Sequence, residues 1–519
     1  MPKNNDAAEN PREDRTNQDA LLAKTAKATF WVFIWRFFTR SIGTISTLIL
    51  VRLLLPGDFG LVALGTGFAQ AIDGLSILGV DDVLIREKNP ERQLYDTAFT
   101  LNMIRNFATA LIIAATAIPI SLFFKDLRLT NILYALSLAT IIEAFENVGV
   151  IDFRRQMAFE KEFYLRLLPR LSGTAVTITL AFLWRSYWAL VVGIITFRIL
   201  RVLMSYVMHP YRARLSISAW RHIIGFSVWT WFISLVVLVR DRTGSFVVGR
   251  LLGSAAVGIY SVAGEIATLP ISEFVHPICR ACWSAFAVAR HTGENIGETY
   301  LRVIGVTMII IIPAAFGIIV VAEPVVFLAL GPHWMSAVPL LKIMSLGAMI
   351  GTFSIISGTV LSSHAVLKSM FKIITISYII GAPIFVLLTM KYGLIVGSIG
   401  GISWNILESI LMSWKLFSLY QVRMISFILY IWRPVVASLI MSLVLFETGF
   451  SHSVSEVSAS QEIKALIVLI PTGIVSYISS VVVLWAISGK PKGAEYDVMS
   501  LVLPFATRIK AKTKARLAA

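Results

Sequence analysis

The sequence predicts an all-α, polytopic membrane protein. It would have two six-helix bundles related by a pseudo-two-fold axis along the membrane normal, plus two C-terminal helices. Three observations predict this class. Of 519 residues, 57% are hydrophobic and only 15% charged, too few charges to cover a soluble protein of this length. Mean hydropathy is +0.78. The apolar residues also fall in runs of about 20, the length of helix that crosses a hydrocarbon core. Many of the 33 Gly and 18 Pro lie inside those runs, as spanning helices tolerate.

The elements follow in chain order. Residues 1–27 read as a polar cytoplasmic tail, and Met1 to Ala23 contains no apolar stretch that could serve as a cleavable signal. Residues 28–210 form a first lobe, with spans near 29–51, 59–80, 98–123, 131–150, 164–184 and 187–208. Residues 211–433 form a second lobe, with spans near 223–248, 256–277, 303–321, 337–359, 371–390 and 394–417. Residues 434–488 hold two extra helices, near 435–446 and 465–487, and 489–519 is a basic cytoplasmic tail. Residues from about Arg280 to Tyr300 read as the longest hydrophilic loop.

Lys and Arg in short loops set orientation. With the N-terminus inside, roughly 29 basic residues fall inside and roughly 7 outside, which places both termini in the cytoplasm. Arg166, Arg280, Arg302 and Arg433 are among those assigned to the inner side. An internal repeat supports the two-lobe reading. Arg52-Leu53-Leu54 precedes Gly60 by the same spacing that separates Arg250-Leu251-Leu252 from Gly258. The copies lie about six helices apart at equivalent outer positions, as parallel repeats would.

These residues carry a family resemblance. Val51-Arg52-Leu53-Leu54-Leu55-Pro56-Gly57-Asp58-Phe59-Gly60-Leu61 resembles a pattern of the polysaccharide-export flippases, in the multidrug/oligosaccharidyl-lipid/polysaccharide exporter superfamily. Leu78-Gly79-Val80 leading into Leu84-Ile85-Arg86 is similar to that family's second-helix end, with Arg86 where Gln is usual. Phe153-Arg154-Arg155-Gln156-Met157 followed by Phe163 resembles its basic loop after helix four. Gly331-Pro332-His333-Trp334 with Pro339-Leu340-Leu341 resembles its loop before helix ten, Pro332 and His333 departing from the pattern. The resemblance implies two bundles forming a V around a cationic, water-filled cavity. It implies transfer of an undecaprenyl-pyrophosphate-linked repeat unit from the cytoplasmic to the periplasmic leaflet of a bacterial inner membrane, with no cofactor. The implied partners are the lipid-linked glycan and membrane lipids, with a polymerase and a chain-length regulator alongside.

Charges inside predicted helices are the candidate site residues, because each costs roughly 2.5–3.5 kcal/mol at the membrane centre. Arg36, Arg40, Thr44 and Thr47 share one face of the first helix, and Thr66, Gln70 and Asp73 one face of the second. Arg36 and Arg40 read as anion contacts, since guanidinium binds phosphate oxygens in bidentate fashion. The competing reading has them snorkel to cytoplasmic headgroups, and Asp73 then serves as a structural partner of one of them. Asn102 and Arg105 form a polar pair on the third helix. Of Arg240-Asp241-Arg242, one arginine is expected to face the cavity while Asp241 pairs with a neighbour, because consecutive helical residues diverge by about 100°. Glu265 and Lys342 read as lumenal, and Asn405 with Glu408 as a further polar face. Glu143 and Glu146 are expected to pair with Arg154 and Arg155, and Arg198 and Arg201 to snorkel.

Other chemistries find little support. Cys279 and Cys282 stand in a C-x-x-C spacing without a βαβ pattern or a second Cys pair, so they read as small packing residues. The seven histidines form no ligand motif, and no phosphate-binding G-x-x-x-x-G-K-[ST] occurs. The charge of +16 is dispersed between apolar runs, which argues against nucleic acid. Two rivals remain: a drug or cation antiporter of the same fold, and a membrane polymerase. The first would want an acidic cavity, whereas the intramembrane set here is richer in Arg. The second usually carries a large periplasmic loop, and the longest outer loop, 447–464, is small.

Overall fold

The computed structural model describes residues 31, 34–35, 38–75, 83–85, 87, 90–220, 228–292, 295–448, 459–491 and 493–499. Nearly all of them are helical. Eight continuous helical stretches are long and apolar enough to cross a membrane among the described residues, or up to ten if each of two bent pairs is one span. Their outward side chains are apolar. Leu111, Leu183, Val207 and Ile487 expose 71%, 72%, 79% and 78% of their surface, a pattern stable only against hydrocarbon. The protein is a multi-pass, all-α membrane protein.

The chain clusters into two compact units. One comprises Met1–Leu54 and Gly65–Phe226, the other Leu55–Leu64 and Ser227–Ala519. In the first unit, α1 is helical over 38–53. It is followed by α2 (Pro56–Leu75), whose first ten residues cluster with the second unit, and then by α3 (Arg92–Phe124) and α4 (Arg128–Glu143). The α3–α4 corner closes on Lys125, which adopts φ 57° and lets its own N–H and that of Asp126 cap the Leu122 and Ser121 carbonyls. Arg128 then clamps Asp126 at 2.8 Å.

The expected fourth span, 131–150, is corrected. α4 stops at Glu143, and the chain bends by 75° into Val148–Arg155. Asn147 explains the bend. Its side-chain oxygen accepts from Gly149 N at 2.9 Å, while its amide donates to the Tyr211 carbonyl at 2.8 Å. Those bonds hold the bend against the end of α6. The remaining helices of this unit are α5 (Phe159–Trp184) and α6 (Trp188–Met208).

After α6 the chain runs back along the first turns of α3. The Asp96 carboxylate accepts from the Tyr211 hydroxyl and from Arg214 N, Thr100 Oγ1 from Ser216 N, and Thr97 Oγ1 from Ala219 N. Three buried polar side chains of one helix thus satisfy the backbone of a segment that has no secondary structure of its own. His209 opens this segment. Burial pushes its imidazole below the usual value against the pull of Asp152, and the neutral ring accepts from Tyr211 N through Nδ1.

The second unit contains α7 (Val228–Leu252) and α8 (Ser254–Ala267), joined at Gly253. Beyond α8 comes a π-helical turn, Ile271–Val275, and a further helix, His276–Thr292, with a bend of 43°. The polar loop expected over 280–300 is therefore helical for most of its length. Arg280 is a helix residue, and Arg302 sits in α9 (Ile296–Val325). Then come α10 (Ala337–Ser363) and a 54-residue helical stretch, Leu367–Tyr420. At 1.5 Å per residue that stretch is far longer than a bilayer. It is two helices, α11 (367–392) and α12 (394–420), separated at Gly393 (φ 80°, ψ −170°), a conformation open to glycine. α13 (Met424–Glu447) begins well before the expected 435, so Arg433 lies inside a helix rather than in a loop. α14 is Ala459–Ile487. The core of this unit packs Tyr300, Ile304, Met308 and Ile312 of α9 against Ile356 and Val360 of α10 and Leu416 of α12. Val275, Cys279 and Phe286 fill its other side, and both cysteines are free thiols.

α2 and α8 cross at glycine. A Cβ on Gly60 would overlap the Ser254 carbonyl and lie 2.6 Å from Gly258 N. A Cβ on Gly258 would overlap the Pro56 carbonyl and lie 3.1 Å from Gly60 N. The contact is reciprocal. Pro56 and Ser254 stand in the same relation as Gly60 and Gly258, at the interval that separates Arg52 from Arg250.

Candidate functional site

In the first unit the candidates sit on α1, α2 and α3. Arg36 lies outside the described residues. Arg40 is half-buried on α1, and Thr44, one turn on, is exposed. Arg170 of α5 comes up beside that turn, its Nη2 lying 3.2 Å from where a Gly43 Cβ would stand. One turn back on α5, Arg166 stacks on the Trp35 ring at 5.4 Å and pairs with Glu162 at 2.7 Å. So α5 adds two cations to the face of α1. The sequence alone counted Arg166 with the basic residues of the inner side and singled out neither it nor Arg170 for the site. On α2, Gln70 and Asp73 are exposed and Thr66 is half-buried. Asp73 reaches Arg105 of α3 at 3.9 Å. Arg105 also donates to the buried Asn106 at 3.3 Å, while Asn102 is half-buried one turn away.

At the far end of α4 the expected pairing is corrected. Glu143 pairs with Arg198, and Glu146 with Arg201 at 2.9 Å. Arg154 instead takes Glu162 at 2.7 Å, and Arg155 takes Asp152 at 3.0 Å. The 75° bend gives Arg154 and Arg155 these nearer carboxylates, and the glutamates go to α6. Arg198 and Arg201 are therefore ion-paired rather than snorkelling. A cleft of about 550 Å³ opens nearby, between Arg92 and Tyr95 on α3 and Pro210, Tyr211 and Arg212 on the returning segment.

In the second unit the candidates converge on α7 and α12. Arg240 donates to buried Glu408 at 2.7 Å and to its neighbour Asp241 at 3.1 Å. Arg240 and Glu408 side chains are only 22% and 9% exposed, against 56% for Asp241. Arg242 is half-buried. The next residue, Thr243, bonds the Tyr378 hydroxyl of α11 at 2.6 Å. Asn405, one turn before Glu408, faces Gly347 and Gly351 of α10. Glu265 is exposed on α8, and Lys342 is half-buried on α10. The charge of Arg240 is thus compensated within its own unit, where the sequence suggested a cavity-facing cation. Glu408→Ala is expected to lower stability by about 3 kcal/mol, because it strands a largely buried guanidinium. Asp241→Ala should cost less than about 1 kcal/mol, because that partner is open to solvent. Thermal unfolding of the two purified variants checks the order.

A second cleft, of about 500 Å³, lies beside the broken α8 and is lined by Ser272, His276, Cys279, Arg280, Trp283, Ile355 and Thr359. Sequence reasoning placed Arg280 in a loop and missed this site. The signal available was the 3–4 residue spacing of His276, Arg280 and Trp283. Among the described residues no group of His, Cys, Asp and Glu could hold a metal ion.

Comparison with known proteins completes the picture. The chain is 22% identical over 396 residues to the lipopolysaccharide biosynthesis protein WzxC of Escherichia coli (strain K12), covering 76% of this chain and 80% of that one. It is 22% identical over 318 residues to the succinoglycan biosynthesis transport protein ExoT of Rhizobium meliloti (strain 1021), covering 61% and 64%. Among solved structures, the lipid II flippase MurJ in an inward closed conformation superposes with a TM-score of 0.66 at 17% identity, over 87% of this chain and 98% of that one. An inward-facing multidrug resistance transporter of the MATE family, in the MOP superfamily, gives 0.58 at 14% identity, over 73% and 95%. At such identities these structures show the fold alone: the chain folds as they do. Residues 49–339 match the family model for polysaccharide biosynthesis proteins, more than half of the chain, and the protein belongs to that family.

Proposed function

We propose that this protein is a flippase for lipid-linked oligosaccharides. It moves undecaprenyl-pyrophosphate-linked repeat units across the bacterial inner membrane by alternating access, for exopolysaccharide or O-antigen-type synthesis. The family match over residues 49–339 carries this reading. The chemistry of the helices supports it. A pyrophosphate needs cations in a water-accessible, low-dielectric setting, and the helices carry Arg40, Arg105 and Arg242, where a cation without water or an anion would be costly; the sequence pattern adds Arg36 on the face of Arg40. No bond in the substrate changes, so no nucleophile, general base or cofactor is required, and the protein is not an enzyme. A drug or cation antiporter would want the opposite balance of charge. Both termini lie in the cytoplasm in this reading. A polymerase and a chain-length regulator act on the glycan once it has crossed.

The test is export. Arg36→Ala and Arg40→Ala should each cut polysaccharide output per unit of inserted protein, while insertion stays normal. Arg→Lys should rescue only partly, because an ammonium keeps the charge and loses the bidentate fork. Full output from the double Ala variant would remove these residues from the mechanism. If they merely snorkel, Ala lowers the amount of protein and Lys behaves as wild type.

A further inference from the structure

We infer that the cleft beside the broken α8 is a saccharide-binding shelf, where a sugar ring of the glycan stacks on Trp283 while Arg280 and His276 bond its oxygen atoms. The inference rests on the reading of the protein as a carrier of lipid-linked glycan. It adds where the sugar, as distinct from the pyrophosphate, is held.

Three observations carry it. The first is placement. His276, Arg280 and Trp283 fall at i, i+4 and i+7 of one helix, so they share one face, and all three line the same cleft. The second is exposure without partners. Trp283 exposes 49% of its surface, and His276 and Arg280 are also exposed. Among the described residues Arg280 makes one hydrogen bond, from Nε to the His276 carbonyl at 3.3 Å. That bond uses Nε and steadies the guanidinium on the helix, and the two Nη groups remain as donors. A cation in hydrocarbon is costly, so an arginine and a histidine on the face of Trp283 suit a surface that water reaches. The third is the opposite wall. Thr359 of α10 bonds its own helix through the Ile355 carbonyl at 2.8 Å and partners the Cys279 thiol, and with two lone pairs its oxygen has room for one ligand donor.

A hexose matches this set. One side of a pyranose ring carries mainly C–H groups, which pack on the electron-rich face of an indole. Its rim carries hydroxyls, or a carboxylate in acidic sugars, which suit a planar guanidinium fork and an imidazole. The cleft volume of about 500 Å³ falls within the range of about 300–1,000 Å³ usual for small-molecule sites. An acyl chain would want an apolar lining throughout. The π-helical turn at Ile271–Val275 sits one turn before His276, and such turns often mark functional positions.

The experiment uses the full-length protein in nanodiscs and two probes. One is the repeat-unit oligosaccharide of the source strain released from its lipid. The other is undecaprenyl pyrophosphate without sugar. Trp283→Leu should weaken oligosaccharide binding about tenfold, Trp283→Phe by less than about threefold, and neither should change binding of the sugar-free lipid; tenfold corresponds to about 1.4 kcal/mol. Arg280→Gln should likewise weaken only the oligosaccharide. Equal oligosaccharide binding by wild type and Trp283→Leu, or none by wild type, overturns the shelf. So does a loss of both probes together. Failure of the carrier reading looks different: cells lacking the protein export polysaccharide as fully as wild type, whatever Trp283 does in the binding assay.

Discussion

Arg433→Ala or Glu495→Ala is expected to destabilise the second unit by about 3–5 kcal/mol, the cost of leaving one member of a buried ion pair without its partner. The two side chains are 4% and 6% exposed and meet through two parallel bonds of 2.8 Å each, Nε to Oε1 and Nη2 to Oε2. Such a fork is the strongest geometry a guanidinium offers a carboxylate. Arg433 belongs to α13, and Glu495 to the short helix 494–499 after α14. The bond therefore ties the chain that follows α14 back to α13. The double replacement by Met at 433 and Leu at 495 should recover most of the loss, since a buried pair and a well-packed apolar pair are often close in stability. Thermal unfolding followed by tryptophan fluorescence separates the cases. A single Ala variant that melts within a degree or two of wild type would mean the pair is open to water.

Gly60→Ala should be at least as damaging, above about 3 kcal/mol, because the added carbon meets backbone rather than a side chain that can turn aside. The neighbour in the way is the Ser254 carbonyl, with Gly258 N close behind at 2.6 Å. Relief requires α2 and α8 to separate, which also opens the packing of Phe59 on buried Trp334. Gly258→Ala should do the same through the Pro56 carbonyl. Gly57→Ala, three residues earlier on the same helix, is the control. Nothing lies within 4 Å of its Cβ position, so the change should stay within about 1 kcal/mol. The yield of folded protein after detergent extraction reads all three. If Gly60→Ala matches Gly57→Ala, the helices do not cross as closely as described.

The sequence by itself determined the class, many of the spans and the family. Insertion into a bilayer is decided by about 20 consecutive residues, so α3, α5, α6 and α14 were legible from local composition. The turn at Gly393 was legible too, as a gap between two apolar runs. The helices that fall short of the apolar test, α2 and α7, carry Asp58, Gln70 and Asp73, and Arg240, Asp241, Arg242 and Arg250. Their polarity had marked them as candidates for function. Tertiary structure decided who pairs with whom. Arg198 finds Glu143, Arg240 finds Glu408 and Arg433 finds Glu495 across intervals of chain that no local rule spans. Which face of a helix meets which neighbour depends on its rotation and axial register, and those are set by packing. The same holds for α4, whose apolar run continues past Glu143 while the chain does not, because Asn147 finds its partners on the far end of α6. Arg280 and Trp283 read as loop residues for a related reason. Polarity in a membrane protein marks either a loop or a wet face, and the sequence does not distinguish them until the helix around it has been placed.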